Sequence, residues 1–96
     1  MRKAKYTIKT TSQFRKDYKQ AIKRGLNIVL IDEMIVKLSN GEMLPDSCRD
    51  HELKGKWKGY RECHISPDWL LTYYVNHSIL VLTLARTGTH SELFKM

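Results

Sequence analysis

Apolar and polar residues change period three times along the 96-residue chain, and the changes divide it into four stretches. Residues 4–10 (Ala-Lys-Tyr-Thr-Ile-Lys-Thr) alternate and include β-branched side chains, which predicts a short strand with Tyr6 and Ile8 on one face. From Phe14 the period becomes helical. Phe14, Tyr18, Ala21 and Ile22 fall on one side, with Arg15, Lys16, Lys19, Lys23 and Arg24 mostly on the other. Thr11 or Ser12 supplies a capping hydroxyl, and Gly25 ends the helix. Asn27 opens a second helix with a stripe of Ile28, Ile31, Ile35 and Leu38, stopped by Asn40-Gly41. Two helices with so tight a joint form an αα-hairpin.

Residues 42–58 lose all periodicity and carry Pro45, Asp46, Ser47, Asp50 and Gly55, which predicts a long ordered loop. A loop beyond about 12–15 residues in a small domain is more often functional than idle. The last third reads as three strands, over 59–65, 69–75 and 79–86, joined by the turn sequences Ser66-Pro67-Asp68 and Asn76-His77-Ser78. The third strand contains Ile-Leu-Val-Leu-Thr-Leu-Ala, apolar at nearly every position, so both of its faces are expected to be covered. The order β-α-α-β-β-β gives an α+β fold: a curved, mainly antiparallel sheet with the helical hairpin packed on one face. The length suits one domain over residues 1–96.

Composition narrows the class. Two cysteines make no disulfide framework, and no apolar run approaches the roughly 20 residues that span a bilayer. The opening Met-Arg-Lys-Ala-Lys-Tyr-Thr-Ile-Lys-Thr has no apolar core of a signal peptide, so a cytoplasmic domain with no membrane partner is expected. The formal charge of +7 is uneven: residues 1–24 carry +8 with Asp17 as their single acid, and the remainder carries −1. A face so basic attracts polyanions, nucleic acid above all.

The meander turns sequence positions into neighbours. In an up-down-up sheet, the end of the first of these strands, the start of the second and the end of the third share one edge. That edge collects His64, Asp68, Trp69 and Arg86, and Gly88 lets the chain bring His90 back towards it, while His77 falls in the opposite turn. Imidazoles with pKa near about 6.5 exchange protons at cellular pH, and arginine binds phosphate through two donors. RNA carries its own nucleophile, the 2′-hydroxyl. An acid, a base and a cation around one phosphate therefore suit RNA cleavage without a cofactor. The alternative is structural, with His and Asp bonding the turn and Arg86 pairing with Glu62. Zinc is not expected: Cys63 and His64 are adjacent on a strand and point to opposite faces, and paired cysteine spacing is absent.

The run from Asp50 to Trp69, Asp-His-Glu-Leu-Lys-Gly-Lys-Trp-Lys-Gly-Tyr-Arg-Glu-Cys-His-Ile-Ser-Pro-Asp-Trp, resembles the D-H-x-L-x-G-x-W-x-G-x-R-x-x-H-x-x-P-D-W pattern of YafQ-type toxins in the RelE/ParE superfamily. Residues 86–94, Arg-Thr-Gly-Thr-His-Ser-Glu-Leu-Phe, match that family's closing R-x-G-[ST]-H-x-x-L-F. The resemblance implies a type II toxin, an endoribonuclease that cuts translated mRNA in the ribosomal A site. It implies a tightly bound antitoxin whose complex represses its own operator DNA. Carried over by position, the site comprises His51, His64, Asp68, Trp69, Arg86, His90 and Phe94, with His51 resting on the resemblance alone.

In that frame His90 is expected to protonate the departing 5′ oxygen, Asp68 or His64 to take the 2′-hydroxyl proton, and Arg86 to hold the phosphate. Trp69 and Phe94 are expected to pack or stack at the rim. Lys16, Lys19, Lys23 and Arg24, with Lys54, Lys56 and Lys58 of the loop, are expected to dock on ribosomal RNA. The alternatives are a ParE-like gyrase poison of the same fold and a non-catalytic ribosome- or RNA-binding domain.

Overall fold

The computed structural model describes residues 4–93. Its elements are β1 (Thr7–Thr10), α1 (Ser12–Lys23), α2 (Ile28–Ser39), β2 (His51–Glu52), β3 (Arg61–Ser66), β4 (Trp69–Asn76), β5 (Val81–Gly88) and α3 (His90–Leu93). The first two helices start and stop for the expected reasons. The Thr11 hydroxyl accepts the Phe14 amide at 2.9 Å, and the Asn27 carboxamide accepts that of Val29 at 3.2 Å. Each such cap is worth about 1 kcal/mol. At the far ends, the amides of Gly25 and Leu26 return to the carbonyls of Ile22 and Ala21, and those of Gly41 and Glu42 to Leu38 and Lys37. That closure needs a left-handed residue just past the cap, and both glycines supply it, at φ 76° and 74°.

The five strands form one sheet in the order β1-β5-β4-β3-β2, with β1 parallel to β5 and the other pairs antiparallel. The helical hairpin covers one face. Phe14 and Ala21 of α1 and Ile31 and Leu38 of α2 pack with Tyr6, Cys63, Leu71, Tyr73, Leu82 and Leu84. Ile31, Cys63, Leu71 and Leu82 are wholly enclosed, and each such aliphatic side chain contributes about 1.5–3 kcal/mol. Burial pushes the Cys63 thiol far above its ordinary pKa, so it behaves as a small apolar group, and Cys48 is likewise a buried free thiol. No helix among the described residues is long and apolar enough to cross a membrane.

Four expectations need correction. Ile22 is exposed, because at 100° per residue it cannot share the core direction of its neighbour Ala21. Ile8 is exposed, because β1 is a four-residue edge strand with every residue open to solvent. The third strand of the meander starts at Val81, not Ile79. The Asn76 carboxamide gathers the amides of Ser78 and Ile79, and Leu80 takes φ 56°, which makes 76–80 a turn. Finally, the 42–58 segment contains β2, a two-residue strand against β3, and two single 3-10 turns, at Asp46–Cys48 and Gly55–Trp57.

One irregularity decides which way β5 faces. Tyr73 is paired with Leu84 but Thr72 with Arg86, so Ala85 is an extra residue, a β-bulge. Cross-strand partners share a face and neighbours alternate. Leu82 and Leu84 therefore point into the helix-covered core, and the bulge turns Arg86 to the other side.

Candidate active site

The strand register brings the predicted edge together. His64 is paired with Leu70, Leu70 with Gly88, and Ser66 with Trp69. With strands about 4.8 Å apart, the Cα atoms of His64 and Gly88 lie roughly 10 Å from each other across one row. Asp68 is exposed in the turn between β3 and β4, and His90 opens α3 two residues beyond Gly88. His77 stands at the opposite end, 3.2 Å from the Tyr6 hydroxyl.

His90 is set by a reciprocal cap. The Thr89 hydroxyl accepts the Glu92 amide at 3.2 Å, and Glu92 Oε1 accepts the Thr89 amide at 2.8 Å. The Thr89 amide is the main reason the Glu92 carboxyl titrates below its usual range, with the Thr89 hydroxyl and Arg24 adding to it. Gly88 leaves room for this turn, since a Cβ there would stand 3.1 Å from Glu92 Oε1.

His51 enters from the other side of the sheet. It is paired with Glu62, Glu62 with Thr72, and Thr72 with Arg86, so these four form one row across the sheet face away from the helices. The Arg49 carbonyl lies 2.6 Å from His51 Nδ1, which must therefore carry its proton and donate. His51 Nε2 then faces Glu62 Oε1 at 3.7 Å, with Glu62 almost wholly buried. Glu62 Oε2 and Thr72 Oγ1 are buried without a hydrogen-bond partner, two unsatisfied polar atoms side by side in this row. Because β2 is only two residues long, the chain before it is anchored separately. Asp50 Oδ1 accepts the Tyr73 hydroxyl at 2.5 Å and Arg61 Nε at 3.3 Å. Burial, then that bond to Asp50, holds the Tyr73 phenol protonated far above its ordinary pKa.

Arg86 does not pair with Glu62. Its Nε and Nη2 donate to the two carboxylate oxygens of Asp17, at 3.0 and 3.3 Å. The reason lies in the sheet edge. β1 covers β5 only as far as Leu84, and α1 takes over beyond it: the Thr11 hydroxyl donates to the Ala85 carbonyl at 2.8 Å, and Asp17 Oδ2 accepts the Thr87 amide at 3.2 Å.

Trp69 also needs correction as a stacking surface. It is 5% exposed and belongs to the core, where its Nε1–H donates to Thr87 Oγ1 at 2.9 Å and that hydroxyl donates to the Leu70 carbonyl at 2.7 Å. Its ring supports the edge from beneath. Phe94 lies outside the described residues. Lys16, Lys19 and Lys23 of α1 are exposed, as are Lys54, Lys56 and Lys58 around the second 3-10 turn. Arg24 is exposed too, but is bound to Glu92 at 3.0 Å. Among the described residues, no three His, Cys, Asp or Glu side chains gather as a metal ion requires.

Sequence reasoning gave no structural role to Asp17, Asp50 or the Thr89–Glu92 cap, and met Glu62 only as a partner for Arg86. Two of these carried a signal: Asp17 is the lone acid of a basic helix, and Thr-x-x-Glu is the spacing of a reciprocal cap. Nothing placed Glu62 beside His51, because that contact depends on strand register.

Comparison with known proteins places this edge in context. A family model described as the bacterial toxin of type II toxin-antitoxin system, YafQ, matches residues 6–95. The chain belongs to the YafQ toxin family. It is 40% identical over 88 residues to the mRNA interferase toxin YafQ of Escherichia coli strain K12, covering 91% of this chain and 94% of that one. Its fold superposes on the toxin of the E. coli DinJ-YafQ toxin-antitoxin complex with a TM-score of 0.86, at 38% identity, covering 94% and 98% of the two chains. A metal-bound toxin from Helicobacter pylori superposes with a TM-score of 0.87, at 40% identity, covering 93% and 99%. The α+β fold expected from the sequence is thus shared across YafQ toxins.

Proposed function

We propose that the chain enters the ribosomal A site and cuts translated mRNA by internal attack of the RNA 2′-hydroxyl. As a member of the mRNA interferase toxins it is an endoribonuclease of a toxin–antitoxin system, and its protein partner is an antitoxin. The observation that supports the chemistry is the meeting of His64, Asp68, Arg86 and His90 at one sheet edge, with His51 in the same cross-strand row as Arg86.

In this reading Asp68 or His64 takes the 2′-hydroxyl proton as that oxygen bonds to phosphorus. Arg86 binds the phosphate while its charge grows, and His90 protonates the 5′ oxygen as its bond to phosphorus breaks. The products are a 2′,3′-cyclic phosphate and a free 5′-hydroxyl. The exposed lysines of α1 and of the second 3-10 turn meet ribosomal RNA backbone, which requires charge and no sequence reading. The ribosome places this work in the cytoplasm, and operator DNA is met only through the antitoxin complex.

Primer extension on a translated message, with and without purified ribosomes, tests the proposal. Cuts at codon-defined positions only when ribosomes are present are expected. Cuts in naked RNA would remove the ribosome from the reading, and intact message alongside DNA double-strand breaks in cells would favour gyrase poisoning.

A further inference from the structure

Residues 1–24 hold nine lysines and arginines and one acid, and that acid is not spent on the solvated face of α1. The Asp17 side chain is 11% exposed, and its two oxygens accept four hydrogen bonds. Oδ2 takes Arg86 Nε at 3.0 Å and the Thr87 amide at 3.2 Å, while Oδ1 takes Arg86 Nη2 at 3.3 Å and Gln13 Nε2 at 2.9 Å. A guanidinium is a planar fork with five N–H donors. Asp17 occupies the edge formed by Nε and Nη2. The opposite edge, formed by Nη1 and the second proton of Nη2, has no partner among the described residues and is the edge that grips a phosphate through two parallel bonds.

We infer that Asp17 is a positioning residue for Arg86, fixing the guanidinium so that its Nη1–Nη2 edge meets the phosphate being cut. The inference rests on the reading of Arg86 as the phosphate holder. A free arginine loses up to about 2 kcal/mol of rotamer entropy when it is ordered, and here α1 has ordered it before substrate arrives. The Thr87 amide bond to the same carboxylate fixes the strand under the side chain as well. Asp17 also cancels the charge of Arg86. Positioning and charge therefore make opposite demands on this residue, and one substitution separates them.

Asp17→Asn removes the negative charge and leaves one acceptor oxygen. If Arg86 acted through net charge alone, the variant would bind the programmed ribosome more tightly and cut at least as fast. If Asp17 positions Arg86, single-turnover cleavage at saturating toxin falls about 10- to 100-fold with the half-saturating concentration little changed. The measurement uses full-length toxin freed from its antitoxin, with Asp17→Asn made in the wild-type chain and in Arg86→Lys, which keeps a cation but has no fork. In the Arg86→Lys chain, Asp17→Asn is expected to cause no further loss. An unchanged or raised rate in the wild-type background overturns the inference. So does an equal proportional loss in both backgrounds, which is the mark of a general structural defect. Asp17→Glu keeps the charge and moves the carboxylate by one methylene, and carries the same expected loss should the amide variant not fold. Arg86→Lys cutting like the wild type would instead overturn the reading of Arg86 itself, whatever Asp17 does.

Discussion

The two sides of the proposed catalytic edge are built differently. On the β5 side, Arg86 is bound to Asp17, and the start of α3 is closed by the Thr89–Glu92 cap and tied to α1 through Arg24. On the turn side, Asp68 is exposed, and neither its side chain nor that of His64 makes a hydrogen bond or ion pair with the described residues. One half of the site is fixed before substrate arrives, and the other keeps its polar groups uncommitted. The difference fits the proposed chemistry: a phosphate clamp gains from being held, whereas a proton acceptor must reach the atom it serves. Function should therefore be separable from stability on one side and not on the other.

The largest effect is expected on the turn side. Asp68→Asn and His64→Ala should each lower ribosome-dependent cleavage by about 10²- to 10⁴-fold while leaving the melting temperature unchanged. Calorimetry beside a single-turnover assay checks this, and a lowered melting temperature for Asp68→Asn would remove the contrast. Arg86→Ala should fail in both measurements. It leaves the Asp17 carboxylate mostly buried without its partner, at a cost of up to about 3 kcal/mol, which urea unfolding would read. Stability unchanged in this variant would mean that the ion pair does not hold the β5 side together.

Trp69→Phe sharpens the contrast beneath the edge. It retains most of the apolar ring but removes the donor to Thr87, for an expected loss of about 1 kcal/mol in stability with cleavage largely retained. A collapse of cleavage at full stability would restore Trp69 as a stacking surface. Lys19→Glu with Lys23→Glu should weaken ribosome binding and make its logarithmic salt slope shallower by about 1.4 or more, as two phosphate contacts require. The same slope in both proteins would locate the dock elsewhere.

The smallest effect concerns acid. The Glu92 carboxyl is held below its ordinary range in the folded chain, so it favours the native cap above its unfolded pKa. That support fades as pH falls through the folded value. Hydrogen exchange at the Thr89 amide should therefore show protection that fades on acidification in the wild type, and in Glu92→Gln should lose that pH dependence. Equal profiles would mean that Glu92 does not govern the start of α3.

Local chemistry made much of this legible. Caps at Thr11 and Asn27, the stops at Gly25 and Gly41 and the hairpin order all followed from neighbouring residues, and the order alone brought His64, Asp68 and Arg86 to one edge. His51 required the family resemblance, because a two-residue strand leaves no periodic trace. What stayed hidden depends on long-range register. Arg86 lies 69 positions from Asp17 in the chain, and no pattern within β5 announces its partner. The burial of Trp69 was equally out of reach, since an aromatic residue beside a turn reads the same whether its ring faces solvent or core.

The extra residue at Ala85 has a consequence for how this sequence can vary. Up to Leu84, β5 answers to the interior, where a changed volume is felt by its neighbours. Beyond the bulge the same strand carries Arg86, the proposed phosphate holder, while Thr87 turns back to bond Trp69. Substitutions on either side of the bulge thus explore separate requirements. Were Ala85 drawn into a regular ladder instead of bulging, simple alternation would merge them, turning the guanidinium towards the oily side of the sheet and threonine outward in its place. A deletion of the alanine, by contrast, keeps Leu84 inward and Arg86 outward, and changes the local twist of the strand rather than the side on which the guanidinium stands.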